Sequence, residues 1–284
     1  MASTRKIFSA LTRRGPHRVL RGDLAFAGLP GVVYTPEEGF NLPAVVFGHD
    51  WLTSADRYHK TLEHLSSWGI VAVAPDTERG LAPSAANFAY DLGTTLDIVA
   101  GVRLGPGQIS VHPSKLAVAG HGFGASAAVL TAAARASGSK FAPKAVAAVF
   151  PTVSSPAAEQ VAAALKIPGL VLTAPGDPQT LRSNAVELSR AWDGAVLRTV
   201  SKAKAGGLPE GRRMARVAGL PGADSSTQKL VRALLTGYLL SVLSGDKTYR
   251  DFADPEAELP KTELPDPDED PAAIEDKVVA LLKP

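Results

Sequence analysis

The segment Gly120-His121-Gly122-Phe123-Gly124 has the spacing of a turn that carries a catalytic nucleophile. It follows the apolar run Leu116–Ala119 and leads into a segment rich in small residues, which predicts a sharp turn from a strand into a helix. In the pattern G-x-S-x-G the outer glycines make room for this turn, and the central serine attacks an acyl carbon. Gly122 stands at the central position, so the sequence predicts the turn without its nucleophile.

The elements that would hold this turn are short apolar runs that alternate with helix-length segments, a pattern typical of a parallel α/β sheet. The runs expected to be strands are Ala44–Phe47, Ile70–Ala74, Leu116–Ala119, Ala145–Phe150, Gly169–Thr173 and Val196–Val200. A hairpin is predicted over Asp23–Thr35 and a last helix over Gln228–Leu243. We therefore expect an α/β domain with a mostly parallel sheet of about eight strands flanked by helices.

With this turn and these elements, the chain resembles the α/β-hydrolase superfamily, in particular its lidless branch of dienelactone hydrolases, cutinases and polyester hydrolases. The resemblance covers roughly Leu29 to Phe252. Besides residues 120–124, it is carried by the segments Ala44–Asp50, Ile167–Asp177 and Ser244–Phe252. It implies an α/β-hydrolase fold, and the short distance from Phe150 to Ile167 implies that no cap domain is inserted.

The resemblance also implies where the family's catalytic groups would lie. The turn after the strand at Ala44–Phe47 would bring an oxyanion-hole amide. The pocket and oxyanion region would comprise His49, Asp50, Trp51 and Phe123. Where the family usually has His-Gly or Pro-Gly, this chain has His49-Asp50. The loop after the strand at Gly169–Thr173 would offer the triad acid, at Asp177.

The family's general base is a histidine that follows the last strand. The six histidines of this chain are His17, His49, His59, His64, His112 and His121, so none follows the turn at 120–124. The loop that should supply the base, residues 201–226, carries instead the cations Lys202, Lys204, Arg212, Arg213 and Arg216. We therefore expect no intact catalytic residue, with Gly120 to Gly124 as a vestigial nucleophile turn and Asp177 as a vestigial acid.

Two functions of different class follow from this pattern. The first is a non-catalytic pseudoenzyme that binds a small apolar ligand or a protein partner. Gly122 would then occupy the turn without the strain, about 1–3 kcal/mol, of a serine with positive φ. The alternative is an atypical ester hydrolase that uses non-standard residues.

Other side chains near the turn are open to a second interpretation. Ser126 lies one turn into the predicted helix, where packing against the sheet explains it better than a role as nucleophile. His49 and Asp50 are an acid–base pair or, the favoured interpretation, turn residues. Trp51 and Tyr58 suit an apolar or aromatic ligand, although aromatic packing also explains them.

The charge is divided unevenly along the chain, although the total is only +2. Residues 1–22 carry six bases and no acid, and residues 251–284 carry eleven acids and three lysines. The near-neutral total argues against a nucleic-acid partner. We expect a basic arm over residues 1–17, a hydrolase-like domain over 18–252, and an acidic Pro-rich tail over 253–284 with a short helix at Ala272–Leu282. Residues 1–22 are a candidate for peripheral contact with an anionic membrane.

No cofactor or metal ion is expected. The chain has no cysteine, and its histidines lack the spacing of a zinc motif. A dinucleotide loop is disfavoured because the glycine spacing and the later acidic residue are missing. No run of apolar residues is long enough for a signal-peptide core or a membrane span, so a cytoplasmic protein, with or without peripheral membrane contact, is expected.

Overall fold

The strands predicted from the apolar runs lie side by side in one sheet. The structure, a computed structural model, describes residues 3–136, 138–177, 180–211 and 222–264. The strands of these residues are β1 Val19–Asp23, β2 Gly31–Pro36, β3 Gly39–Gly48, β4 Val71–Pro75, β5 Ile109–His121, β6 Ala145–Val149, β7 Gly169–Thr173, β8 Ala195–Val200 and β9 Thr262–Glu263.

The sheet has nine strands in the order β1-β2-β4-β3-β5-β6-β7-β8-β9. The strands from β4 to β8 in this order are parallel, whereas β1, β2 and β9 pair in antiparallel fashion. The predicted fold class, a mostly parallel sheet flanked by helices, is confirmed, and no separate cap domain is found among the described residues. Because the parallel strands share a direction, the loops that follow them meet at one edge, here called the carboxyl edge.

Helices cover both faces of the sheet because the parallel strands are apolar on both sides. The helices are α1 Thr4–Leu11, α2 His59–Ser67, α3 Ala85–Gly101, α4 Phe123–Arg135, α5 Ala158–Ala162, α6 Ala185–Ala191 and α7 Ser225–Ser244. One core cluster joins the sheet to α1, α2 and α7, and a second joins the opposite face to α3, α4, α5 and α6. The candidate site lies above both clusters, at the carboxyl edge.

The start of the chain contains a helix that is docked on the body. Part of the predicted basic arm forms α1, which packs on the first core cluster through Phe8 and Leu11, 5% and 0% exposed. The Phe8 ring stacks on Phe252 with centroids 6.3 Å apart, and the Thr4 hydroxyl donates a hydrogen bond to the Asp251 carboxylate. Residues 4–11 are thus a docked helix whose Phe8 and Leu11 face the body.

The acidic tail is also partly ordered. Within this predicted tail, β9 pairs with β8 at the edge of the sheet. The buried guanidinium of Arg198 donates hydrogen bonds to the carbonyl oxygens of Ala257 (2.8 Å) and Asp254. The predicted helix at Ala272–Leu282 lies outside the described residues. Among the helices that are described, none is long and apolar enough to span a membrane.

Candidate functional site

The turn between β5 and α4 has the backbone geometry that its glycine spacing predicts. Gly122 has φ 55° and ψ −117°, and its N–H donates a hydrogen bond to the carbonyl of Val149 (3.0 Å). A Cβ atom on Gly120 would overlap with the backbone of Gly124, and one on Gly124 would overlap with the backbone of Gly48. The outer glycines are thus required by close packing of β3, β5 and the start of α4.

The space above Gly122 is filled by the side chain of Asp50. A Cβ atom on Gly122 would overlap with Oδ1 and Cγ of Asp50 and would lie 3.0 Å from its Oδ2. In a serine hydrolase this space belongs to the nucleophile's side chain. Here a carboxylate from the loop after β3 occupies it, and the two residues exclude one another: Asp50 has its position only because residue 122 has no side chain.

The same carboxylate occupies two backbone donors. Oδ1 of Asp50 accepts hydrogen bonds from the N–H of Phe123 (3.0 Å) and from the N–H of Trp51 (2.8 Å). One amide follows the nucleophile position and the other lies in the loop after β3, which are the two sources of an oxyanion hole in this fold. The donors that an ester hydrolase would aim at a tetrahedral intermediate are therefore already used by Asp50.

His121 is held in a buried network beneath this carboxylate. Its Nδ1 lies 2.8 Å from the hydroxyl of Tyr58, and its Nε2 lies 3.0 Å from the carbonyl oxygen of Ala205. The same Tyr58 hydroxyl accepts a hydrogen bond from the N–H of Asp50 (3.1 Å). With Nε2 donating to the carbonyl of Ala205 and Nδ1 accepting from the Tyr58 hydroxyl, each of these contacts has one donor and one acceptor. Tyr58 and His121 thus fix the loop after β3 and the loop after β8 to the turn.

His49 and Asp50 do not form an acid–base pair. The ring of His49 is fully buried, with Nδ1 2.9 Å from the carbonyl oxygen of Asp50 and Nε2 2.8 Å from that of Thr77. Both ring nitrogens therefore contact the main chain. Of the predicted pocket region, the structure brings Asp50, Trp51 and Phe123 together and leaves His49 as a buried anchor for the loops after β3 and β4.

Asp177 lies in the loop after β7, but it has no triad partner in the described part of the chain. Its carboxylate accepts a hydrogen bond from the N–H of Ala174 (3.1 Å). Burial raises the pKa of Asp177 above its usual value, and the hydrogen bond from Ala174 opposes this effect. Its observed role is to close the turn after β7.

The loop that would carry the base is fastened to the opposite side of the site. The buried carboxylate of Glu210 accepts hydrogen bonds from the N–H groups of Lys60 (3.0 Å) and Thr61 (3.2 Å) and lies 2.7 Å from Nδ1 of His59. The pKa of Glu210 is raised above its usual value by burial, and these contacts at the start of α2 oppose the rise. The cations Arg212, Arg213 and Arg216 lie outside the described residues.

The remaining candidates have structural contacts. Ser126 is fully buried in α4 and its hydroxyl donates a hydrogen bond to the carbonyl of Thr152, so it is not presented to a substrate. In the described ranges no group of three or more potential ligands could hold a metal ion.

Sequence reasoning missed the position of the Asp50 side chain. The sequence did contain a sign of this position, because it differs from the family pattern at two places. Asp50 replaces the glycine of His-Gly, and Gly122 replaces the serine of the turn. A side chain is gained at one position and lost at the other. The link between the two changes is revealed only by the contacts of Asp50 with the turn, such as its hydrogen bond from the N–H of Phe123, 73 positions away.

The fold and the site define the class of this protein. A mostly parallel sheet flanked on both faces, with a glycine turn between the fifth strand and the following helix, is an α/β-hydrolase fold. The family model described as Chlorophyllase matches residues 24–165, which is half of the chain. The chain belongs to this family, whose fold is α/β-hydrolase-like. No curated protein matches it.

The matched residues include Asp50 and the turn at 120–124 and end before β7. The match therefore supports the assignment of β3, β5 and α4 to the family's core. It does not extend to Asp177 or to the loop after β8.

Proposed function

We propose that this chlorophyllase-family chain is a non-catalytic α/β-hydrolase-fold protein that binds a small ligand or a protein partner at the carboxyl edge. The observation that carries the proposal is the position of Asp50. Its carboxylate lies where a nucleophile's side chain would stand and accepts the two amides of Trp51 and Phe123. An ester carbonyl then finds neither a nucleophile nor free oxyanion donors.

The absence of both the nucleophile and the base affects every step of acyl transfer. Without a serine at position 122 no acyl-enzyme forms there, and without a histidine after β8 no base takes the nucleophile's proton. In serine hydrolases, loss of the serine or the histidine alone lowers the rate about as much as loss of the whole triad. The narrower likeness to dienelactone hydrolases and cutinases is also part of this proposal.

One observation favours the alternative, an atypical ester hydrolase. The carboxylate of Asp50 lies directly above the turn and keeps 19% of its side chain exposed. In this alternative it would act as a non-standard base toward water. We rank it second because Oδ1 is already bound to two amides and because the described part of the chain provides no histidine free to pass the proton on.

The test is a pair of measurements on the full-length chain. Turnover of a short-chain p-nitrophenyl ester is compared with that of a heat-denatured control, and a fluorophosphonate probe is used with mass mapping. Absence of both turnover and labelling is the expected result. Turnover that disappears in Asp50→Asn would establish the alternative, and a labelled serine would overturn the proposal directly.

The partner and location also belong to this proposal. With Phe8 and Leu11 buried against the body, α1 presents exposed Arg5 and Lys6 outward. A peripheral contact with an anionic membrane would therefore depend on charge and not on insertion of apolar side chains. Co-sedimentation with vesicles containing phosphatidylserine, compared with neutral vesicles, tests this contact. A cytoplasmic location is kept as an expectation.

A further inference from the structure

The two oxygens of the Asp50 carboxylate have different surroundings. Oδ1 accepts the N–H groups of Trp51 and Phe123. Oδ2 accepts no hydrogen bond from the described residues, and the one described basic group within 4.0 Å of it is Nδ1 of His121, at 4.0 Å. That distance is too long for a hydrogen bond. One oxygen of a mostly buried carboxylate is thus left with unused acceptor capacity.

His121 makes shorter contacts with groups other than Asp50. Its Nδ1 contacts the Tyr58 hydroxyl and its Nε2 contacts the carbonyl oxygen of Ala205. The ring is therefore held by groups other than the carboxylate. Within the described ranges no lysine or arginine nitrogen lies within 4.0 Å of Asp50. Among the described residues, the carboxylate charge is stabilised by the two amides and by the N-terminus of α4.

Apolar side chains are exposed on the loops of the carboxyl edge, on which Asp50 also lies. The exposed ones are Trp51, Leu52, Leu81, Val153 and Leu181. Contacts link their loops: the Trp51 indole N–H donates to the carbonyl of Leu81 (3.1 Å), the N–H of Val153 donates to the carbonyl of Arg182 (2.8 Å), and the Arg182 side chain lies over the Trp51 ring. We call these five side chains the apolar rim.

The aromatic member of the rim already attracts a cation. The guanidinium of Arg182 lies over the Trp51 ring, 5.8 Å from its centroid. The face of an indole ring favours positive charge. The rim thus combines apolar surface, an aromatic face and, next to them, a carboxylate with a free acceptor.

We propose that this site binds an organic cation, an ammonium group attached to an apolar body, with the ammonium on Oδ2 of Asp50 and the body on the apolar rim. The inference rests on the proposed function, since it names the ligand of the same site. Such a site has the opposite electrostatic preference to that of a hydrolase. The amides that would stabilise an oxyanion hold a carboxylate instead, so the site presents negative charge and disfavours acids.

Three probes of equal chain length test this preference: n-hexylammonium, 1-hexanol and hexanoate. Each is titrated into the full-length chain at neutral pH and low ionic strength and followed by calorimetry. Hexylammonium should bind at least tenfold more tightly than hexanol, and hexanoate should bind more weakly than both, because a charge-assisted hydrogen bond is stronger than a neutral one.

Asp50→Asn is the matched variant. Its amide oxygen can still accept the N–H groups of Trp51 and Phe123, while the charge is removed. It should weaken hexylammonium binding at least tenfold and leave hexanol binding unchanged. Glu37→Gln, which removes one exposed negative charge that is paired with Arg18 and not with Asp50, controls for net charge and should change neither.

The inference is overturned if hexylammonium shows no saturable binding, if hexanoate binds as tightly, or if Asp50→Asn leaves hexylammonium affinity unchanged in a variant with the wild-type circular dichroism spectrum. The comparison among the three probes on the wild-type chain stands even where the variant does not fold. Covalent labelling or ester turnover would instead overturn the proposed function, so the two failures are distinguishable.

Discussion

The carboxylate of Asp50 and a side chain at position 122 would occupy the same volume. A Cβ atom on Gly122 would overlap with Oδ1 and Cγ of Asp50, while Oδ1 holds the N–H groups of Trp51 and Phe123. The two positions are therefore coupled, and restoring the nucleophile of the family needs a change at both.

Gly122→Ser alone should destabilise the chain and yield no hydrolase. The serine would collide with Asp50 and would also have a positive φ, so we expect a loss of about 1–3 kcal/mol in the free energy of unfolding. Urea denaturation measures the loss, and ester turnover should stay at the level of the heat-denatured control because no base is present.

The double variant Asp50→Gly/Gly122→Ser separates collision from strain. Removing the carboxylate gives the serine its space, so the two changes together should cost less than the sum of the single changes, with a coupling free energy of about 1 kcal/mol or more. Additive losses would show that Asp50 moves aside without cost and that the positions are independent.

His64 should make stability depend on pH. Burial lowers the pKa of His64 to about 4 from 6.5, and the nearby positive charge of Arg232 adds to the effect, while the carbonyl of Leu11 opposes it. Between these two values the unfolded chain binds more protons than the folded chain. This contribution is therefore fully present above pH 6.5 and is lost as the pH falls toward 4, by about 3 kcal/mol at most.

Urea midpoints across this pH range measure the effect. In His64→Leu the part of the slope due to this residue should disappear, because no titrating group remains at the position. His17→Gln, at an exposed histidine near the start of the chain, should keep the wild-type slope. An unchanged slope in His64→Leu would assign the acid sensitivity to other groups.

Glu210→Ala should release the loop after β8 from α2. Its buried carboxylate receives the N–H groups of Lys60 and Thr61 and contacts His59, so its removal leaves buried donors without an acceptor at a cost of about 1–3 kcal/mol. Hydrogen exchange should quicken at Lys60 and Thr61. Glu63→Gln, whose partner Arg14 lies 3.8 Å away in an exposed pair, should change stability by less than about 1 kcal/mol. Equal effects of the two variants would contradict this role of Glu210.

The outline of the fold follows from local pattern. Apolar runs of strand length and helix-length segments predicted the α/β sheet, and the glycines at 120, 122 and 124 predicted the turn, because these features depend on neighbours along the chain. The hairpin near residue 30 was predicted too, although β1 begins earlier, at Val19.

The site could be predicted only in part, since its key contacts join distant residues. Asp50 was expected as a turn residue near the pocket, yet its carboxylate reaches an amide 73 positions away. The network of Tyr58, His121 and Ala205 joins three separate loops. Whether such side chains meet depends on how the sheet orders its strands, and that order is not encoded by any short segment.

The docking of α1 also determines where the chain can be shortened. Phe8→Ala should free the helix by removing the ring stacked on Phe252. We expect a loss of about 3–5 kcal/mol in unfolding free energy and fast hydrogen exchange over residues 4–11. Ser9→Ala, on the exposed side of the same helix, should change neither quantity. Retained protection in Phe8→Ala would show that Leu11 alone holds the helix.

The same packing has a practical consequence for producing the protein. A chain that begins at residue 18, the boundary that the sequence indicated, would expose Phe252 and the surface of α7 that α1 covers. An uncovered apolar patch of this kind promotes self-association. An expression clone that keeps residues 1–17 should therefore give monodisperse material where the shorter clone aggregates.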